Sequence, residues 1–195
     1  MQSLYKDLLK RIMEIIKSPL EEVLLIKPKI FEDNRGYFTE SYSEKNYFDK
    51  GVKEIFVQDN LSKSTKGTLR GLHYQLSNPQ AKLVRVVSGK VFDVALDIRK
   101  GSSTFGHYFS TILDDKNHHQ LFIPGGFAHG FCVLSEEVIF EYKCSEYYYP
   151  NDQFGVFWND KDISIDWPIK DPTLSQKDKE YPLLKSITES KLPVF

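Results

Sequence analysis

Leu83-Val84-Arg85-Val86-Val87-Ser88-Gly89-Lys90-Val91-Phe92-Asp93-Val94-Ala95-Leu96-Asp97-Ile98 decides the fold class. It holds two apolar runs of strand length, and Ser88-Gly89 between them is a hairpin turn. Similar short runs lie on both sides, at Val23–Ile26, Ile55–Gln58, Leu69–Gln75, Tyr108–Leu113, Gln120–Ile123, Gly130–Leu134 and Val138–Lys143. Turn signals punctuate them, as in Asn34-Arg35-Gly36 and Lys100-Gly101-Ser102-Ser103. Strands do not alternate with long helices, which argues against a parallel α/β sheet. The pattern predicts an all-β domain, either a sandwich or a barrel. The high aromatic content, 14 Phe and 11 Tyr in 195 residues, points the same way.

Helix is expected in three places. Residues 3–17 place Leu4, Leu8, Ile12, Ile15 and Ile16 at helical spacing, with Ser3 to cap the start and Pro19 to end it. Short peripheral helices are expected over 44–50, ended by Gly51, and around 175–180. The predicted organisation is a helical arm over residues 1–20 and a single β domain over 21–195.

Bulk properties exclude several classes. Hydrophobic residues make up 41% and charged residues 27%, an ordinary globular balance. The net charge of -1 offers no electrostatic basis for a nucleic-acid or membrane partner. An anionic ligand would have to be held by a few local Arg and Lys residues. Cys132 and Cys144 are too few for a disulfide framework, and no CxxC pair suggests zinc. Charges run through residues 1–18, unlike a signal peptide, and no run is long enough to span a bilayer. The expected compartment is the reducing cytoplasm.

The chemistry concentrates in Leu69-Arg70-Gly71-Leu72-His73-Tyr74-Gln75. As a regular strand it sends Arg70 and Leu72 to one face and Leu69, Gly71 and His73 to the other. His73 is a candidate general base. Such a base needs an orienting carboxylate, a cation for the charge it creates and a proton donor. Asp178 or Asp93 fits the first role and Lys82 the second. Tyr142 or one of Tyr147, Tyr148 and Tyr149 fits the third.

Pro124-Gly125-Gly126-Phe127-Ala128-His129 fits the P-x-G-x-x-H pattern of double-stranded β-helix proteins, the cupins. Metal-dependent cupins add an H-x-H pair and a glutamate. Here His73-Tyr74-Gln75 supplies one histidine only, so His73 and His129 are too few for a first-row metal. The neighbours His118 and His119 face opposite ways on a strand and make a poor chelate. No metal and no cofactor are expected.

The whole pattern resembles the dTDP-4-dehydrorhamnose 3,5-epimerase family. The resemblance runs through Phe31-x-Asp33-x-Arg35-Gly36-x-Phe38-x-Glu40, Phe56-Val57-Gln58-Asp59-Asn60-x-Ser62-x-Ser64 and Leu69–Gln75. It continues in Lys82–Val87, Val91–Arg99, Ile123–Phe131, Tyr142-Lys143, Trp158-Asn159-Asp160, Ile165–Pro168 and Leu174-Ser175-x-Lys177-Asp178. It covers roughly residues 21 to 182 in order. It implies a metal-free, cupin-type jelly roll that works as a homodimer on a nucleotide-linked 4-keto-6-deoxyhexose.

The resemblance also implies roles. His73 matches the base, Asp178 its carboxylate partner, Lys82 the cation at the enolate oxygen and Tyr142 the acid on the opposite face. Arg35 and Arg70 match diphosphate ligands, and His129 a phosphate or sugar contact. Tyr148 matches the aromatic that stacks on the base. Glu40, Gln58, Asp59, Asn60 and Lys177 match polar substrate contacts, some reaching across the dimer. One position departs: many members carry Glu after the Tyr-Tyr-x-Pro segment, where this chain has Asp152 and Gln153. The expected reaction is epimerisation at C3 and C5 through an enolate. The alternatives are a 3- or 5-epimerase or ketoisomerase on another 4-keto sugar, and a non-catalytic sugar-nucleotide-binding jelly roll.

Overall fold

The hairpin at Ser88-Gly89 forms as expected. In the computed structural model, which describes residues 13–195, β7 (Lys82–Ser88) runs into β8 (Lys90–Asp97). Gly89 adopts φ +94, a conformation that favours glycine. The two strands join different sheets, so this turn is where the chain folds one sheet over the other.

The remaining strands are β1 (Met13–Lys17), β2 (Leu24–Pro28), β3 (Ile30–Asp33), β4 (Gly36–Thr39), β5 (Gln58–Thr65) and β6 (Leu69–Gln75). They are followed by β9 (Tyr108–Asp114), β10 (Gln120–Ile123), β11 (Phe127–Val133), β12 (Glu137–Cys144) and β13 (Gln153–Gly155). Two short helices, α1 (Glu44–Asp49) and α2 (Gln176–Glu180), lie where expected. A six-stranded sheet has the order β1-β2-β10-β7-β12-β5, and a five-stranded sheet the order β13-β6-β11-β8-β9. All strand pairs within them are antiparallel. The β3–β4 hairpin stands apart as a two-stranded unit. This is a jelly roll.

Side-chain alternation divides the core. Val84, Val86 and Phe140 of one sheet pack against Ala95, Phe127 and Phe131 of the other, filling the interior. The opposite face of the five-stranded sheet carries Leu72, Tyr74, Val94 and Leu96, covered by Val156 and the C-terminal segment. The outer face of the six-stranded sheet buries Ile26, Leu83 and Phe122 beneath α1. Ser43 caps α1, and the buried Tyr47 hydroxyl pins it by donating to the Gln120 carboxamide at 2.9 Å.

The expected helix over 3–17 is not found in its described part. Residues 13–17 are strand β1, with Ile15 opposite Ile26 and Met13 opposite Pro28; residues 3–12 lie outside the described residues. A spacing of four is close to a helical repeat and is also two strand repeats, so Leu8, Ile12 and Ile16 fit either period. Pairing with β2 decides for the strand at its described end.

One strand was expected at the wrong place. The run Ile55–Gln58 ends where β5 begins, and β5 extends through the polar residues to Thr65. Its inward positions are Gln58, Asn60, Ser62 and Ser64, opposite Cys144, Tyr142, Phe140 and Val138. Polar side chains inside a roll mark a lined cleft rather than a packed core.

Candidate active site

Arg70 and His73 reach the same face because β6 is irregular. His129 lies opposite His73 and Phe131 opposite Arg70, so two residues of β6, Gly71 and Leu72, oppose only Gly130. This bulge resets the alternation and corrects the expectation of opposite faces. Gly71 has φ +125, and a side chain there would place a Cβ 2.5 Å from the Gly130 Cα. Two glycines are therefore required where the strands come closest.

His73 meets its carboxylate at the mouth of the roll. Leu69 N–H donates to the Thr173 carbonyl at 3.0 Å, which ties the tail to β6 and delivers α2 beside it. His73 Nε2 then lies 2.5 Å from Asp178 Oδ1. Asp178 Oδ2 accepts from the Ser175 hydroxyl at 2.8 Å, and that hydroxyl also caps α2. Burial pushes the Asp178 carboxyl up, but His73 and Ser175 outweigh it and hold the group below its ordinary range. Burial is also the largest influence on His73 and lowers its pKa, against the opposing pull of Asp178. The pair is thus a neutral imidazole beside a carboxylate. The carboxylate takes the Nε2–H, which leaves Nδ1 with its lone pair.

The open choice of carboxylate is resolved by a second pair. Asp93 is fully buried and lies 3.0 Å from His129 Nε2, so it serves His129, and Asp178 serves His73. Lys82 comes from β7, where it lies opposite Cys144; burial lowers its pKa, while Cys144 and Asp93 pull the other way. Tyr142 points inward beside Phe140, with ring centroids 6.1 Å apart. Burial raises the Tyr142 hydroxyl, which the Arg70 charge partly offsets. Tyr147, Tyr148 and Tyr149 are exposed at the rim.

A polar chain continues from the mouth. Arg70 Nε donates to Ser64 Oγ at 3.0 Å, linking the two sheets. Gln58 Nε2 donates to Asn60 Oδ1 at 2.9 Å, and Tyr148 N–H donates to Gln58 Oε1 at 3.1 Å. Gln153 Oε1 accepts from the Tyr148 hydroxyl at 2.7 Å and from Lys177 Nζ at 3.2 Å. Gln153 is therefore the residue that faces this rim. Asp152 is turned to the backbone of Ser77 and Asn78.

Three expected binding residues are not brought into the cleft. Asp59 lies on the outer face of β5, where it pairs with Lys143 at 2.9 Å. Arg35 stands on the β3–β4 hairpin with 85% of its side chain exposed, paired to Asp33. Glu40 follows that hairpin and accepts from Asn46 at 2.8 Å. Among the described residues, no group of three or more His, Cys, Asp or Glu side chains is placed to hold a metal ion.

Tyr181 and Ser64 have no role assigned from the sequence. Tyr181 lies edge-on to His73, and Ser64 holds Arg70. The signal for Ser64 was a hydroxyl at an inward-facing position; Tyr181 left no local signal.

The arrangement is an imidazole with its carboxylate, a nearby lysine and a phenol on the facing sheet. Such a set can move protons beside a carbonyl. Comparison with known proteins leads to the same chemistry. The model of the dTDP-4-dehydrorhamnose 3,5-epimerase family matches residues 17–186. A protein of that name from Shigella flexneri is 54% identical over 168 residues, covering 85% of this chain and 93% of its own length. A dTDP-6-deoxy-D-glucose-3,5-epimerase from Legionella pneumophila, solved with dTDP-4-keto-L-rhamnose, superposes with a TM-score of 0.91 at 48% identity, over 94% of this chain and 98% of that one. ChmJ, a 3'-monoepimerase from Streptomyces bikiniensis solved with dTDP-quinovose, gives a TM-score of 0.86 at 29% identity, over 91% and 92% of the two chains. A family match across most of the chain and a relative 54% identical over 168 aligned residues leave one assignment: the chain belongs to the dTDP-4-dehydrorhamnose 3,5-epimerase family.

Proposed function

We propose that the protein epimerises C3 and C5 of dTDP-4-dehydro-6-deoxy-D-glucose, giving dTDP-4-dehydro-L-rhamnose without a metal or cofactor. The C4 ketone acidifies the protons on both neighbouring carbons. His73 Nδ1 takes a proton from one face, and the electron pair moves to the C4 oxygen as an enolate. Asp178 stabilises the imidazolium that forms. Lys82 supplies positive charge to the enolate oxygen. Tyr142 returns a proton from the opposite face, inverting the centre; His73 then releases its proton to solvent, and Tyr142 is restored from solvent. The observation that carries this reading is the 2.5 Å contact between His73 and Asp178, with the half-buried Tyr142 phenol on the facing sheet.

Binding is assigned to the rim. Arg70 and His129 hold the diphosphate and sugar, and Tyr148 stacks on the base. Gln58, Asn60, Gln153 and Lys177 supply polar contacts. The working unit is a homodimer. Phe31, Tyr37 and Phe38 are exposed on the β3–β4 hairpin, and a second copy would cover them. That copy would receive Arg35 and Glu40 at its cleft. The compartment is the cytoplasm, where the buried free thiols of Cys132 and Cys144 stay reduced.

Turnover in deuterated water tests the reaction: deuterium is expected at both C3 and C5. The likeness to ChmJ favours one second reading, a 3-epimerase, which would load deuterium at C3 alone. No exchange at either carbon would overturn both.

A further inference from the structure

Tyr181 follows α2 and folds its ring against His73, with centroids 5.6 Å apart and the planes at 67°. Gly155 of β13 lies directly opposite His73 in the strand register. A Cβ at Gly155 would fall 2.5 Å from the Tyr181 ring. The ring therefore occupies the space that a side chain beside His73 would take. Its hydroxyl is buried and, among the described residues, is the one buried side-chain polar atom with no partner. Burying an unpaired hydroxyl is unfavourable. The ring also forms one wall of a cavity of about 200 Å³ with Tyr74, Phe154, Pro182 and Ile187. His73 does not line that cavity.

We propose that Tyr181 is a positioning residue for the His73 base: its ring fills the gap left by Gly155, locks the imidazole on Asp178 and keeps cavity water off the pair. This rests on the reading of His73 as base. The groups facing His73 are Asp178 from α2, Lys82 from β7, and His129 from β11 with Asp93 behind it. Tyr142 of β12 faces the same interior. Of all influences on His73, burial is the largest, and Tyr181 is the aromatic wall nearest to it. Without the ring, water reaches the imidazole, the charged form becomes easier to make, and the base becomes protonated at higher pH.

The test uses the full chain and its Tyr181→Ala, Tyr181→Phe and Gly155→Ala variants. NMR titration reads the His73 midpoint in the free protein, with His73→Asn assigning the signal. Steady-state kinetics read the acid limb of kcat/KM. In Tyr181→Ala the His73 midpoint and the acid limb should both move to higher pH. There kcat should fall about tenfold with KM nearly unchanged, as a misplaced catalytic group requires. Tyr181→Phe should restore both readings and melt higher than wild type, because the orphaned hydroxyl is gone. Gly155→Ala, which pushes the ring without deleting it, should shift the midpoint in the same direction by less. An unmoved midpoint in the Ala variants overturns the proposal, and so does a Tyr181→Phe protein as impaired as Tyr181→Ala. Absence of epimerase activity in wild type would overturn the proposed function alone, since the titration midpoint does not depend on turnover.

Discussion

Arg70 and His73 are three residues apart on one strand, yet both face the interior of the roll. His73 sits opposite His129, and Arg70 sits opposite Phe131 and reaches Ser64 on the other sheet at 3.0 Å. In a regular strand an odd separation sends side chains to opposite faces. The bulge at Gly71 removes that conflict and places a guanidinium and an imidazole over the same cleft. In the proposed function, one side chain holds the diphosphate while the other works on the sugar attached to it.

Gly71→Ala tests that device. The added Cβ meets Gly130 at 2.5 Å in a backbone of φ +125. Positive φ and overpacking together should cost on the order of 3 kcal/mol. Chemical denaturation should show the loss, and activity should fall further than stability alone explains, because Arg70 and His73 move together. A variant with wild-type stability would show that the bulge tolerates a side chain.

Asp178→Asn separates orientation from charge. Loss of the carboxylate should lower kcat by about 100-fold or more while KM changes little. The residual activity carries a sign. Asp178 raises the His73 pKa against burial, so its removal should move the acid limb of kcat/KM to lower pH. Wild type itself should show that limb below 6.5, the ordinary histidine value. A limb that moves upward in Asp178→Asn would reverse the assigned coupling.

These predictions rest on features of unequal legibility. The bounds of β6 were readable as residues 69–75, because a stretch of strand length between turn residues leaves little choice. Its internal register was not, because a bulge depends on how closely β11 approaches. The position of β5 was missed for a related reason. Gln58, Asn60, Ser62 and Ser64 face inward, so the strand lacks the apolar stripe that marks an ordinary core strand. The N-terminal segment misled in the other direction, since its spacing suits helix and strand alike. Asp178 was a candidate beside Asp93 that the family pattern singled out, but its contact with a residue 105 positions away needs the Leu69–Thr173 tie.

Tyr142→Phe should uncouple exchange from inversion. With the phenol removed, His73 still takes a proton and returns one to the same face. Deuterium should therefore enter recovered substrate faster than epimerised product forms, while product formation drops by about 100-fold or more. Mass spectrometry of both pools reads this ratio. Equal suppression of exchange and inversion would place Tyr142 outside the reprotonation step.

Exposed aromatics on the hairpin give a test of assembly. Replacing Phe31 and Phe38 together by Ser changes residues that are 48% and 69% exposed, so little folding energy should be lost. Sedimentation should show a shift from dimer to monomer, and activity should fall with it if Arg35 and Glu40 serve the partner's cleft. A dimer of wild-type strength would remove the hairpin from the interface.

Asp97 gives the last test, and it concerns stability rather than catalysis. The carboxylate is fully buried at the end of β8. It accepts from Arg99 Nη2 at 2.9 Å, from the Ser102 hydroxyl at 2.6 Å and from the Thr104 hydroxyl at 2.7 Å. Arg99 in turn pairs with Glu22 and lies over the Phe127 and Phe195 rings, so the network joins the N- and C-terminal segments to the roll. Burial pushes the Asp97 carboxyl up, but its donors outweigh it and the pKa lies below 3.8. A folded pKa below the unfolded value, about 3.9, means that the unfolded chain binds the extra proton first. The contribution is therefore present at neutral pH and is lost as pH falls through the folded value. Asp97→Asn leaves Arg99 without its buried partner and should cost about 3–5 kcal/mol at pH 7. The cost should shrink as wild type is acidified below pH 4, about where the unfolded carboxylate takes up its proton, so the two unfolding curves should converge there. A gap independent of pH would mean that hydrogen-bond geometry, not charge, holds the segments together.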